Sequence, residues 1–185
     1  LFRSDFSRLI AVGSIAGGAT PLAEGEALFQ GLELSGSVAL ARHWQVRGAW
    51  TYLPTAEQRT AFRRIDNNAV ANNSAAGNRQ PYAPEHALSL AVSLELGRFS
   101  SQLEMQHVGS QYSDFAETQG ASADGQRGRI AAFTVWNAAL DAQLADSLKV
   151  YFAVKNLLDS THIVDRTRGI QVGMPLMALD TAATK

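Results

Sequence analysis

The sequence predicts an all-β fold, a segment of an antiparallel transmembrane β-barrel with about eight strands. Three observations predict it. Apolar side chains recur at every second position over several stretches of about ten residues, a strand period rather than a helix period. Short connections alternate with long polar ones, as in barrels with tight turns on one side of the membrane and large loops on the other. No apolar run approaches the roughly 18 residues of a transmembrane helix. In lipid, that leaves strands with every backbone group paired.

Taken in order, Phe2–Val12 reads as the first strand, with Phe2, Phe6, Ile10 and Val12 on one face and Arg3, Asp5 and Ser7 on the other. A flexible stretch, 13–27, leads to a strand over 28–41, where Leu32, Leu34, Val38 and Leu40 oppose Glu33, Ser35 and Ser37. A tight connection at 42–44 precedes a strand over 45–53, in which Val46, Trp50 and Tyr52 alternate with Gln45, Arg47, Ala49 and Thr51. The polar connection 54–80 is then expected to lack structure of its own, which argues against a compact soluble domain. His86–Leu96 has the cleanest alternation, Leu88, Leu90, Val92, Leu94 and Leu96 against Ala87, Ser89, Ala91, Ser93 and Glu95. Gly97 and Arg98 turn the chain into Phe99–Val108, with Phe99, Leu103 and Met105 on the apolar face.

A second polar loop, 109–129, precedes a strand running through Leu144. Its phase is imperfect: Phe133 and Val135 share one parity, and Trp136, Ala138, Leu140, Ala142 and Leu144 the other. A bulge near the rim, or passage from membrane depth into loop, accounts for such a change. A tight connection at 145–147 leads to a strand over 148–156, where Val150, Phe152 and Val154 oppose Lys149, Tyr151, Ala153 and Lys155. A weaker last strand follows Pro175. The polar faces carry Glu33, Arg47, Glu104, Asp141, Lys149 and Lys155, which an aqueous lumen solvates and lipid does not. A soluble antiparallel sheet with one wet face gives the same alternation.

Composition narrows the functional classes. The 185 residues are 46% hydrophobic and 18% charged, with a formal net charge of -1, which gives no reason to expect nucleic acid as a partner. There is no Cys, so disulfides, thiolate nucleophiles and thiolate metal sites are excluded. The start, LFRSDFSRLI, shows no initiator Met or signal-peptide pattern, so a secreted origin places any leader upstream. His43, His86, His107 and His162 lack metal-ligand spacing, and no nucleophile elbow orders the Ser, His and Asp residues. Enzymatic activity is therefore not expected.

Three stretches carry a family resemblance. Phe29-Gln30-Gly31-Leu32-Glu33 resembles a strand opening; GNRQPYAPEH, Gly77 to His86, resembles a loop-to-strand entry with a Pro-x-x-Pro element; and Val154-Lys155-Asn156-Leu157-Leu158-Asp159 resembles a penultimate-strand ending, with Leu158 where Phe is usual. Residues 163–175 look like the last outer loop. Together they resemble the C-terminal barrel of TonB-dependent outer-membrane receptors, especially the ferric-citrate and ferric-siderophore branch. The tail after Pro175 departs from that pattern, lacking the usual basic residue and the aromatic terminus.

The resemblance implies that residues 1–185 are a partial barrel, the last eight of about 22 strands. It implies that an N-terminal plug and the earlier strands lie outside residues 1–185. It further implies a bacterial outer-membrane location, uptake of ferric citrate or another ferric siderophore, and coupling to a TonB-type energy complex through the missing N-terminal region. The iron arrives inside the chelate, so neither a cofactor nor a protein metal ligand is expected.

Ligand-binding candidates are the long-loop arginines Arg59, Arg63, Arg64, Arg79, Arg127, Arg129, Arg166 and Arg168, whose guanidiniums suit the carboxylates of an anionic chelate. Exposed arginines of this kind also solvate a surface or meet lipopolysaccharide phosphates. Asp66 and the Asn67/Asn68 and Asn72/Asn73 pairs read as polar turns. Trp44, Phe99, Tyr52, Tyr82, Tyr112 and Phe115 are expected in interfacial aromatic belts. The competing functions are a small passive porin, adhesin or membrane anchor, and a soluble β-sheet binding domain.

Overall fold

The computed structural model describes residues 1–12, 22–123 and 125–166. The expected last strand and Arg168 lie outside them. The strands are β1 (Phe2–Val12), β2 (Leu22–Ala41), β3 (Trp44–Gln58), β4 (Arg63–Arg64), β5 (His86–Leu96), β6 (Phe99–Val108), β7 (Gln111–Tyr112), β8 (Arg129–Ile130), β9 (Phe133–Ala145) and β10 (Leu148–Val154). One eight-stranded sheet runs β1-β2-β3-β5-β6-β9-β10, with β4 pairing β2 off that path, while β7 and β8 form a separate pair. All these pairings are antiparallel. The sheet is not closed into a barrel by the described residues.

Register puts the apolar series of β2, β3, β5, β6, β9 and β10 on one common face, whereas Phe2 and Phe6 of β1 oppose Gly31 and Ala27 on the other. Val38 opposes Val46, Val46 opposes Val92, Val92 opposes Leu103, Leu103 opposes Ala138, and Ala138 opposes Val154. Strand alternation then places the polar residues together on the other face. Arg47, Glu95, Glu104, Asp141, Tyr151 and Lys155 line one groove there. Lys149 pairs with Asp141 at 2.8 Å.

The apolar face is uncovered. Leu34, Val38, Leu90, Leu103, Leu140 and Phe152 are all exposed, from 37% for Leu90 to 61% for Phe152. A soluble sheet would bury such a face against a second layer. The fully buried side chains lie instead at the long-loop end, where Ala23, Ala27, Phe62, Ala71 and Phe115 form a cluster.

Three sequence expectations are corrected. Opposite residues 30 and 32 of β2 stand Thr55 and Tyr52, so Leu53 and Pro54 together face Gly31 in a bulge. A bulge tolerates the missing Pro N–H, so β3 continues to Gln58 and residues 54–80 are not structureless. The bulge also explains Gly31, where a Cβ would meet the Tyr52 carbonyl oxygen and lie 3.1 Å from the Phe2 ring. In β1, Phe6 opposes Ala27 but Leu9 opposes Gly25. This second bulge breaks the predicted phase: Leu9 and Ala11 pack on the buried cluster, while Ile10 and Val12 are exposed. In β9, pairing with β6 is regular from Phe133 to Ala142, so the phase change there needs no bulge. The irregularity falls instead at the short turn, between Leu148 and Lys149.

Candidate functional site

Past the bulge, the upper half of β2 and the end of β3 form a wall on which the loops fold. Ala23, Ala27 and Phe29, which share the alternation of Glu33 and Ser35, face the loop cluster. Phe62 is 0% exposed and stacks on Phe115 at 4.5 Å, joining the loop after β3 to the loop after β6. Gly25 leaves room for that ring, since a Cβ would come within 2.6 Å of it.

Polar bonds fix the same junction. The fully buried Gln58 donates through Nε2 to the carbonyls of Arg79 and Phe115, both at 3.0 Å. Ser74 donates to Gln58 Oε1 and accepts from the Phe62 N–H at 2.8 Å. Asn78 Nδ2 donates to the Phe115 carbonyl at 2.9 Å, and the Arg79 N–H to Glu117 Oε1 at 2.5 Å. Asp114 organises its own turn by accepting from the Ala116 and Thr118 N–H groups. These bonds satisfy buried or half-buried polar groups that would otherwise be costly.

The segment following β10 joins this cap. Asn156 takes φ 51° and closes a turn, donating through Nδ2 to the Ser160 carbonyl while its Oδ1 accepts the Ser160 N–H. The Asn-Leu-Leu-Asp stretch is thus a strand terminator. His162 stacks on Phe133 at 4.3 Å, and Arg166 Nη1 donates to the Gly125 carbonyl at 2.8 Å.

The candidate arginines divide into groups. Arg79 is inward and structural: Nε donates to the Ala83 carbonyl at 2.7 Å, Nη1 to Pro54 at 3.2 Å and Nη2 to Leu53 at 2.5 Å. It caps the carbonyls that the β3 bulge turns out of the ladder. Burial pulls its pKa below the ordinary value, with Glu85 and Glu117 opposing that shift. Arg64 is held by Asp66 through bonds of 3.0 and 2.6 Å, a pair that raises the guanidinium pKa and lowers that of the carboxyl. Arg63 donates to the Asn68 carbonyl at 2.9 Å. Arg129 donates to Ser110 Oγ at 2.7 Å, and Arg166 docks on the turn that carries Arg127. Arg59 and Arg127 are exposed. The fold therefore brings Arg127, Arg129 and Arg166 to one region, with Arg63 and Arg64 placed against the start of β2.

Replacing Arg79 by Met removes three charge-assisted donors and is expected to cost about 2–3 kcal/mol of local stability. Arg79→Lys should recover less than half, because an ammonium cannot reproduce the fork. Protease resistance of the 54–85 loop measures both.

Gln58, Phe62, Asn78 and Phe115 were not singled out as site residues from sequence. The only local signal was an aromatic residue inside each polar loop. Phe115 and Tyr82 belong to the cap interior rather than to an aromatic belt, and Tyr112 accepts a bond from Gln119 within the cap. Trp44 and Phe99 do lie exposed beside short turns. Tyr52 stacks with His86 at 4.9 Å, and Trp50 with Tyr52 at 5.8 Å. The Asn turns carry positive φ at Asn68, Asn72 and Asn73. Among the described residues no cluster of three or more His, Cys, Asp or Glu is arranged to hold a metal.

Known structures share this architecture. The ferric citrate transporter FecA is 23% identical, with 85% of this chain and 23% of FecA covered at a TM-score of 0.57. The siderophore receptor PiuA from Acinetobacter baumannii is 14% identical, with 89% and 22% covered at 0.61. The ferric-catecholate import receptor Fiu from E. coli K12 is 19% identical, with 81% and 20% covered at 0.54. At these identities the likeness is one of fold, and it does not distinguish the ferric-citrate branch. The chain spans between a fifth and a quarter of the length of each. Residues 1–157 match the family described as TonB dependent receptor-like, beta-barrel. With an uncovered apolar sheet face, a charged opposite face and long loops gathered at one end, the chain belongs to the TonB-dependent receptor-like β-barrel family, one of outer-membrane receptors and not of enzymes.

Proposed function

We propose that this chain forms the C-terminal part of the barrel of an outer-membrane receptor that takes up ferric citrate or another ferric siderophore. The observation that carries the reading is the division of the sheet: one face is apolar and uncovered, while the long-loop end folds into an arginine-bearing cap. Lipid and lipopolysaccharide meet the first face. The second borders an aqueous lumen lined by Arg47, Glu104 and Asp141. Additional strands join at the open sheet edges, completing a barrel of about 22 strands. A plug domain elsewhere in the receptor contacts the TonB-type energy-coupling complex and opens the lumen.

In this reading Arg59, Arg127 and Arg129 are the first contacts for an anionic ferric chelate, because their guanidiniums are exposed at the cap. Arg63, Arg64 and Arg168 are further members of the set, while Arg79 and Arg166 shape the site. Charge-assisted bonds to carboxylates favour citrate-type chelates.

The first test is the mass of the native polypeptide in washed outer membranes, followed by binding of iron-labelled ferric citrate. A polypeptide roughly four times this length follows from the coverage of FecA. Ferric citrate should be retained, and Arg127→Ala should weaken retention about tenfold, the loss of one charged bond. A membrane product of only this chain's size would overturn the receptor reading in favour of a small barrel. Retention of a ferric catecholate instead of ferric citrate would reassign the ligand.

A further inference from the structure

We propose that Tyr82 is a positioning residue that latches the segment after β10 onto the two other long loops and holds Arg166 in place. Tyr82 lies inside the Pro81-Tyr82-Ala83-Pro84 element and adopts φ 54°, a left-handed conformation that a non-glycine residue takes at a cost. Proline at 81 and 84 limits the alternatives open to the backbone. The strained conformation lets one residue bond in two directions at once. Its N–H donates to the Tyr112 carbonyl at 2.8 Å, tying the loop after β3 to the loop after β6. Its phenol donates to Asp165 Oδ1 at 2.7 Å and accepts the Arg166 N–H at 3.2 Å.

Three segments far apart in sequence thus meet at one residue, its backbone N–H holding the loop after β6 and its phenol the segment after β10. Arg166 adds a second tie to the loop after β6 through Gly125. Burial and the bond to Asp165 raise the phenol pKa above its ordinary value, so Tyr82 stays a donor throughout the physiological pH range. The half-burial of Tyr82 and the double use of its oxygen are what a fixed tie point needs. A free loop aromatic has neither.

The latch itself is independent of any ligand. Its consequence rests on the capture reading: a registered last segment keeps Arg166 and the adjoining Arg127 turn in one place, so a bound anion leaves slowly.

Hydrogen exchange on the full-length protein in native outer membranes tests it, with Tyr82→Phe and Tyr112→Phe compared. Tyr82→Phe keeps the ring and removes both phenol bonds. Amides of 160–166 should exchange about thirtyfold faster, since two bonds are lost together. Arg166, whose own N–H loses its acceptor, is the direct reporter. Tyr112→Phe, which spares the latch, should leave 160–166 unchanged, as should both variants for His86–Leu96. Unchanged exchange in Tyr82→Phe, or equal acceleration in Tyr112→Phe, would overturn the latch. Release of iron-labelled ferric citrate should also quicken in Tyr82→Phe with association unaltered. Faster exchange with unaltered release would overturn the positioning role. If the wild type binds no ferric citrate, the capture reading fails for that ligand, and the exchange data still decide the latch.

Discussion

Phe62→Ala is expected to open the loop cap while leaving the sheet below it intact. The ring is fully buried, stacks on Phe115 and fills the space above Gly25. Truncating a buried Phe leaves a cavity as well as losing transfer free energy, together about 3–5 kcal/mol. The adjoining polar bonds then lose their shield: Gln58, Ser74 and Asn78 form their network around the same two rings. The loss falls on a local unit because the sheet draws its stability from backbone pairing and its outward face. Exchange at 56–80 and 111–119 should rise by two orders of magnitude or more, about tenfold for each 1.4 kcal/mol. Exchange over His86–Leu96 should hold. Coincident loosening of both regions would mean that cap and sheet form one cooperative unit.

A pair of adjacent substitutions should show the opposite character of the two sheet faces. Leu90 opposes Gly48 and Met105 at mid-strand on the apolar face, and Ala91 opposes Arg47 and Glu104 on the charged face. Arginine at Leu90 is expected to cost about 2–4 kcal/mol of stability in a bilayer, the penalty for a charge facing lipid near its midplane. Arginine at Ala91 joins a solvated wall that already holds Glu104, and should cost less than about 1 kcal/mol. Denaturant titration of the full-length protein in lipid vesicles measures both. Equal penalties would remove the argument that lipid covers the Leu90 face. A larger cost at Ala91 would reverse the assignment of faces.

Much of the sheet was legible because a strand has the simplest periodicity in protein structure. His86–Leu96 and Phe99–Val108 needed only alternation and a Gly-Arg turn, and both occur with the predicted bounds. Alternation failed where a bulge inserted a residue. Arg8 looks like any polar strand position, yet the Ser7-Arg8 pair opposite Glu26 reverses the phase of everything after it. The polar connection expected from Pro54 begins only after Gln58, because a bulge accommodates the proline within β3. The cap was hardly legible, since a polar loop containing one Phe gives no hint of which distant loop that Phe will meet.

The sequence by itself determined the strand class, the faces of the regular strands, the side of the sheet on which the loops lie, and the family. Strand class, faces and loop placement are set by local chemistry, namely side-chain period, turn residues and charge placement, whereas the family is read from the resemblance of the Phe29–Glu33, Gly77–His86 and Val154–Asp159 motifs. Tertiary structure alone decided which arginines stay at the surface and which are consumed inside. Arg79 and Arg59 are indistinguishable as loop guanidiniums, yet the first finds three carbonyls within 3.2 Å while the second stays exposed. A hydrogen-bond partner drawn from a distant segment depends on the path of the whole chain, and residue spacing does not encode that path.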